Sequence, residues 1–87
     1  MTHTTIRATV LVRLKREVLD PQGNAVERAL RTMGFGGVRD VRIGKLIELE
    51  LEPGSDDDGT LRTRLGRMAD ELLANPVIED YEISLDR

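Results

Sequence analysis

The spacing of apolar residues changes period along this chain, and that change constrains the fold more than any other feature. Over Ile6–Leu14 every second residue is apolar, which is the pattern of a strand with one buried face. Over residues 25–33 and 60–74 the apolar residues recur at helical spacing instead. Strand-like alternation returns over residues 38–52 and 77–85. The pattern therefore predicts an α+β domain, in which strands and helices pack as layers.

Residues with strong end preferences mark the helix boundaries. Asp20-Pro21 is typical of an N-cap and a first helical residue, Gly34 stands where a left-handed C-cap is expected, and Asn75-Pro76 ends the second helix. Gly23 lies in the first helical turn, where glycine costs roughly 1 kcal/mol relative to alanine. We interpret Gly23 as an exposed residue that lets another backbone approach closely. The apolar stripe expected on the second helix consists of Leu61, Leu65, Met68, Leu72 and Leu73.

Gly44-Lys45 interrupts the strand pattern of residues 38–52, and we interpret it as the tip of a tight hairpin between two strands. One long strand with a bulge at Gly44 is the alternative. With the hairpin, the element order is βαββαβ, the ferredoxin-like arrangement with two helices on one face of an antiparallel sheet. The first strand is then central, and residues 53–59 form a surface loop whose acidic end suits the start of the second helix.

The outward side chains of the predicted sheet carry both matched charges and uncovered apolar groups. We expect basic residues of the first strand to pair with acidic residues of both neighbouring strands. The basic residues are Arg7, Arg13 and Lys15, and the acidic ones are Glu48, Glu50, Glu52, Asp80 and Glu82. Leu11, Leu46 and Ile78 project onto the same face. An apolar cluster among charges favours a covered surface, so we predict that these three residues form an oligomer contact.

The length of the chain also favours self-association. With 87 residues and no cysteine, it forms one domain over residues 1–87 that no disulfide stabilises. Such a domain buries only about 60–65% of the surface of its unfolded chain. We therefore expect a homodimer or a higher even oligomer. Residues 1–5 are expected to be a flexible tail, and because the sequence predicts no membrane span, we expect a cytoplasmic protein.

Composition and patterning disfavour several functions. The formal net charge of -3 gives no overall attraction for nucleic acid or anionic lipid, and the outward positions of the central strands lack the aromatic platforms of RNA binders. The acidic run 56–58 lacks the ligand spacing of a calcium loop, and His3, the only histidine, lies in the expected tail. The glycines of residues 34–37 follow a helix, whereas phosphate loops precede one. We therefore predict no catalytic residue, no metal site and no cofactor in this chain.

Residues 18–26, 38–45 and 72–81 resemble the PurS family, the small subunit of phosphoribosylformylglycinamidine (FGAM) synthase, an ATP-dependent, glutamine-using ligase of purine biosynthesis. The similarity lies in an Asp-Pro-Gln-Gly helix start, an Arg-Ile-Gly-Lys segment and an Asn-Pro pair before the last strand. The order and spacing of these segments cover most of the chain. Departures from the family pattern are the extra residues 2–5 and the enlarged loop 53–59.

The resemblance implies a dimeric, PurS-like subunit without its own active site. In this family the PurS dimer connects a glutaminase subunit (PurQ), which releases ammonia, to a synthetase subunit (PurL), which is expected to hold ATP and Mg²⁺. The resemblance places the partner contacts in the three matched segments. The residues expected to make these contacts are Asp20, Pro21, Gln22, Gly23, Arg42, Gly44, Lys45, Asn75, Glu79 and Tyr81.

Two other functions stay open without the resemblance. Paired βαββαβ domains can bind an amino acid or a nucleotide at a dimer seam, and Asp20-Pro21-Gln22-Gly23 is a weak form of such a site. Such a protein would be a ligand-sensing regulatory dimer, which calorimetric titration of the isolated protein would detect. A structural adaptor for unrelated partners is the third possibility.

Overall fold

A computed structural model of the chain describes residues 5–86 as three strands and two helices. The elements in chain order are β1 (Ile6–Leu14), α1 (Pro21–Thr32), β2 (Gly44–Leu51), α2 (Asp58–Met68), a π-helical turn that continues α2 (Ala69–Leu73), and β3 (Glu79–Asp86). The predicted bounds of β1 and the predicted start of α1 are confirmed. Gly34, with a φ of 102°, adopts the left-handed conformation expected after a helix end.

The sheet is antiparallel, with strand order β2-β1-β3, so the expected central position of the first strand is confirmed. The charge matching across its outer face is also confirmed. Lys15 Nζ lies 2.9 Å from Asp80 Oδ1, Arg7 Nη1 lies 3.9 Å from Glu48 Oε2, and Arg13 pairs with Glu82. These exposed pairs specify the register more than they stabilise the fold.

Within residues 5–86, the expected hairpin at Gly44-Lys45 does not form, and the single long strand does not form either. Gly44 pairs with Arg13 inside the β1–β2 ladder, and residues 38–43 are a connection that precedes β2. A Cβ at position 44 would lie 2.6 Å from the carbonyl oxygen of Val12, so close strand packing explains this glycine. The backbone amide of Ile43 bonds to the side chain of Asp20 instead of to another strand, so β2 begins only at Gly44.

The core lies between α2 and the inner face of the sheet. Leu61, Leu65 and Ala69 are fully buried, and Ala69 packs with Val10 and Val12 of β1. Two hydrogen bonds hold α2 over β3, because Tyr81 Oη donates to the carbonyl of Gly66 (3.4 Å) and Arg62 Nη1 donates to that of Ile83 (3.0 Å). We call the sheet and α2, with its π-helical turn, the body.

Helix α1 does not lie on the sheet, contrary to the expectation of two helices on one face. It has no extensive packing contact with any strand or with α2, and Gly23 is its only buried residue. Residues 33–43 return along it, with Arg31 Nε donating to the carbonyl of Val38 (3.3 Å). We call residues 21–43 the arm. The arm makes the chain elongated, at 56 × 28 × 16 Å with a radius of gyration of 17.1 Å, against about 12 Å for a compact chain of this length.

Other expectations concern single segments. The loop 53–59 precedes α2 as predicted, and Asp57 caps that helix by accepting from the amide of Thr60 (2.8 Å). His3 and nearly all of the expected tail, residues 1–4, lie outside the described residues. Between residues 5 and 86 no helix is long and apolar enough to cross a membrane.

Candidate functional site

The base of the arm is held by a buried carboxylate. Asp20 is 3% exposed; its Oδ1 accepts from the amide of Gly23 (2.9 Å) and its Oδ2 from the amide of Ile43 (2.7 Å). These backbone hydrogen bonds hold the pKa of Asp20 below its ordinary value of 3.8, so the carboxylate is charged at neutral pH. One side chain therefore caps α1 and joins it to the start of β2.

Gly23 is buried at this junction, so the expectation that it is exposed was wrong. A Cβ at this position would lie 2.0 Å from the carbonyl oxygen of Val41, within the same chain. Another backbone does approach closely, as the sequence indicated, but it belongs to the returning segment of the arm. Glycine is required here for the arm to close on itself.

Arg42 completes the junction from the opposite side. Its Nη2 donates to the carbonyls of Lys15 and Val18, both at 2.9 Å. These carbonyls lie in the connection between β1 and α1, so the guanidinium fixes where the chain leaves the sheet. Arg42 and Asp20 thus use their charged groups within the chain, and they shape the surrounding surface.

Two shallow grooves lie beside the junction, and both are bordered by Arg13 and Leu14. The lysine groove, of about 200 Å³, is also lined by Asp20, Gln22, Gly44, Lys45 and Glu79. The arginine groove, of about 390 Å³, is also lined by Arg16, Arg42, Asp80, Tyr81 and Glu82. Together they contain seven of the ten expected partner-contact residues. We call the two grooves the junction surface.

The three remaining residues differ in position. Pro21 is exposed beside Gln22 at the start of α1, whereas Gly23 is buried beneath it. Asn75 forms the turn before β3, where its Oδ1 accepts from the amide of Val77 (3.1 Å) and its amide donates to Glu79 Oε1 (2.7 Å). This turn places Glu79 at the edge of the lysine groove.

Most of the Tyr81 side chain lies beneath the junction surface and supports it. It packs against the core, and its hydroxyl bonds to α2. Burial raises the pKa of Tyr81, and the neighbouring Asp70 raises it further. Sequence reasoning missed Arg13, Arg16 and Asp80 as lining residues, although the charge-matched register of β1 and β3 could have placed Arg13 and Asp80 side by side.

The expected oligomer contact is only partly contiguous. Leu11 and Leu46 are directly opposed in the β1–β2 ladder, and Leu46 is 60% exposed. Ile78 lies apart from them, just before β3 and beyond the end of β1, because its carbonyl bonds to the amide of Lys15. Four residues of strand separate Lys15 from Leu11, or about 13 Å. Leu11 and Leu46 therefore form one patch, and Ile78 lies nearer the junction surface.

The chemistry of the site is that of a contact surface. The grooves are open and lined by charged, amide and aliphatic groups, and the most buried carboxylate is fully used by backbone amides. The part of the chain from residue 5 to 86 holds no group of three His, Cys, Asp or Glu side chains that could bind a metal ion. Asp56, in the acidic run, instead pairs with Arg64 at 2.7 Å.

A family model described as PurS, phosphoribosylformylglycinamidine (FGAM) synthase, matches residues 7–87. The chain belongs to the PurS family. The FGAM synthase subunit PurS of Bacillus subtilis is 46% identical over 80 residues, which cover 92% of this chain and 92% of that protein. PurS of Methanocaldococcus jannaschii, in its crystal structure, matches with a TM-score of 0.84 at 38% identity, over 94% of this chain and 96% of that one.

A chain in the structure of PurLQS from Thermotoga maritima matches with a TM-score of 0.82 at 31% identity, over 95% of this chain and 99% of that one. The resemblance found in three sequence segments is thus confirmed over nearly the whole chain. The PurS-like α+β fold that it implied is confirmed as well.

Proposed function

We propose that this chain is the non-catalytic subunit of FGAM synthase that couples the glutaminase subunit to the synthetase subunit during purine biosynthesis. As a PurS-family chain it is a subunit of a glutamine-dependent, ATP-using ligase. The observation that carries the proposal is the junction surface, where seven residues of the family-matched segments line two open grooves. Such a surface suits docking, since it lacks the nucleophile and base pair that acyl or amide chemistry needs.

The residues of the junction have two different roles, because some hold the surface in place and others are free to contact a partner. Asp20, Gly23 and Arg42 are bonded or packed within the chain, so their role in docking is to hold the surface in place. Pro21, Gln22 and Lys45 are exposed around the lysine groove and are the residues we assign to direct contact. Gly44, Asn75, Glu79 and Tyr81 support or border them.

The proposed partners are the glutaminase and the synthetase, and ATP and Mg²⁺ would bind to the synthetase. The match to a chain of Thermotoga maritima PurLQS supports this assembly. We place the protein in the cytoplasm with that pathway. We further propose that it acts as a homodimer or a higher even oligomer, with contacts between copies at the Leu11–Leu46 patch and, separately, at Ile78.

A reconstituted assay tests the coupling role. Synthetase and glutaminase are mixed with and without this protein, with glutamine as nitrogen source in one series and ammonium at high concentration in the other. We expect the protein to be required in the glutamine series only, because free ammonia reaches the synthetase directly. Equal rates in all mixtures would contradict the proposal, and equal loss in both series would show that the subunit shapes the synthetase site instead.

A pair of variants locates the docking surface in the same assay. Lys45→Glu reverses a charge at the lysine groove, and Arg28→Glu makes the same change on an exposed face of α1 away from it. We expect Lys45→Glu to lower the glutamine-dependent rate at least tenfold, while Arg28→Glu stays within twofold of the unmodified protein. Equal losses would remove the assignment to the junction surface.

A further inference from the structure

The arginine groove contains a guanidinium that makes no ion pair within the described chain. The two acidic side chains of the groove are already paired, because Asp80 lies 2.9 Å from Lys15 and Glu82 pairs with Arg13. Arg42 lines the same groove and makes both of its hydrogen bonds through Nη2, to backbone carbonyls. Within residues 5–86, Arg42 therefore carries a positive charge that is bonded only to neutral groups.

The remaining donors of Arg42 are available to an external anion. A guanidinium has five N–H bonds and Nη2 accounts for two, so three remain on Nε and Nη1 without an acceptor among residues 5–86. The nearby carboxylate of Asp20 is 3% exposed and bonds to the amides of Gly23 and Ile43 instead. Because two carbonyls hold Nη2 at 2.9 Å, the guanidinium is fixed in place before a ligand binds, which lowers the entropic cost of binding.

A second guanidinium, that of Arg16, borders the same groove and is weakly held. Its side chain is 88% exposed, and its contact with Asp40 is long, at 3.6 Å. Such an exposed pair adds little stability, so Arg16 can leave Asp40 for an anion in the groove. The groove volume of about 390 Å³ is in the range of small-ligand sites.

We propose that the arginine groove binds the phosphate group of a small phosphate ester, with Arg42 and Arg16 as its donors. A phosphate monoester has three terminal acceptor oxygens and accepts from guanidiniums that approach from different directions, whereas the two oxygens of a carboxylate lie in one plane. The whole chain has a net charge of -3, so binding depends on these direct hydrogen bonds and not on long-range attraction.

A bound phosphate would connect the arm to the body, because Arg42 belongs to the arm and Arg16 to the connection that follows β1. The ligand would thus fix the position of the arm at one further point. The site does not depend on the proposed function, since the direct partner contacts are assigned to the lysine groove. A ligand titration of this protein and the coupling assay can therefore fail independently.

An NMR titration of the ¹⁵N-labelled chain tests the site, because the Nε–H signals report on each arginine separately. The probes are inorganic phosphate and ribose 5-phosphate, added at constant ionic strength so that screening does not change. We expect both to shift the Arg42 and Arg16 signals until they saturate, with ribose 5-phosphate bound at least as tightly as inorganic phosphate. Shifts that do not saturate, or that affect arginines outside the groove equally, would overturn the proposal. Exclusion of the sugar phosphate would overturn the assignment to an ester.

Variants and a second anion locate and identify the ligand group. Arg16→Gln should raise the dissociation constant for phosphate at least fivefold, because it removes charge-assisted hydrogen bonds. The matched control is Arg28→Gln, on the exposed surface of α1 outside this groove, which should stay within twofold. An unchanged constant for Arg16→Gln would overturn the proposal without disturbing the junction that Arg42 holds. Acetate that binds as tightly as phosphate would show that the groove accepts a carboxylate, such as an acidic side chain of another protein, and would overturn the assignment to phosphate.

Discussion

The body and the arm differ in how far their apolar side chains are buried within the chain. In the body, the inward side chains of β1 and α2 are buried within the chain, and the charges of the outer face pair across the strands. In the arm, the polar groups at its base are bonded within the chain, while the apolar face of α1 is exposed. The comparison teaches that the body buries its apolar groups within the chain, whereas the arm is shaped by hydrogen bonds at its base and leaves the apolar face of α1 exposed.

The largest expected effect is in the body. Leu65→Ala should lower the free energy of unfolding by about 2–5 kcal/mol, because Leu65 is fully buried and its truncation leaves a cavity. Met33→Ala in the arm should cost less than about 0.5 kcal/mol in dilute protein, since Met33 is mostly exposed. Urea unfolding at two protein concentrations measures both. Similar losses for the two variants at low concentration would mean that the arm is packed within the monomer.

An intermediate effect is expected at the base of the arm. Gly23→Ala should cost about 1–3 kcal/mol, because its Cβ would press on the carbonyl of Val41 and force the arm apart. Gly36→Ala is the control, since a Cβ there has open space and the change should be nearly neutral. Thermal unfolding gives the size of the effect, and faster hydrogen exchange of the Ile43 amide would place it at the junction. Equal behaviour of the two variants would show that the junction tolerates a side chain.

The smallest effect concerns pH. The pKa of Asp20 is lower in the folded chain than its ordinary 3.8, so its contribution to stability is complete above that value and is lost as the pH falls through the folded pKa. The melting temperature should therefore drop below about pH 4, and Asp20→Asn, which keeps one acceptor oxygen, should have a lower but flatter profile there. Melting curves from pH 2.5 to 7 test this, and parallel profiles would assign the acid sensitivity to other carboxylates.

Local signals were sufficient for the strand order of the body. The alternation in β1 fixes its buried face, and the opposite charges at Arg13 and Glu82 indicate its neighbour, so strand order and pairing could be predicted. The cap at Asp20 likewise predicted the start of α1. In each case the decisive residues are close in sequence or match in charge across strands.

The path of the arm could not be predicted from the sequence, because it depends on contacts between residues that are far apart in the chain. Residues 38–43 have a strand-like pattern, but their path is decided by Asp20, 23 residues earlier than Ile43, and by Arg42 bonding back to the end of β1. The same long-range packing buries Gly23. Seven of the expected contact residues meet at the junction surface because these bonds bring the segments together, while the resemblance alone gave their identity.

The π-helical turn at Ala69–Leu73 fixes how the chain approaches β3. The amide of Ala74 bonds to the carbonyl of Ala69 (2.8 Å), one residue further back than in an α-helix, so the turn contains one additional residue. That residue rotates the helix by roughly 100°, which keeps Ala69 buried and turns Leu72 outward, although the sequence stripe placed Leu72 inside. A single-residue deletion in this turn would move every later side chain to the opposite face of the sheet unless the loop before β3 absorbed it. The number of residues between Met68 and Glu79 is thus as constrained as their identity, and sequence drift in this segment is expected to proceed by substitution.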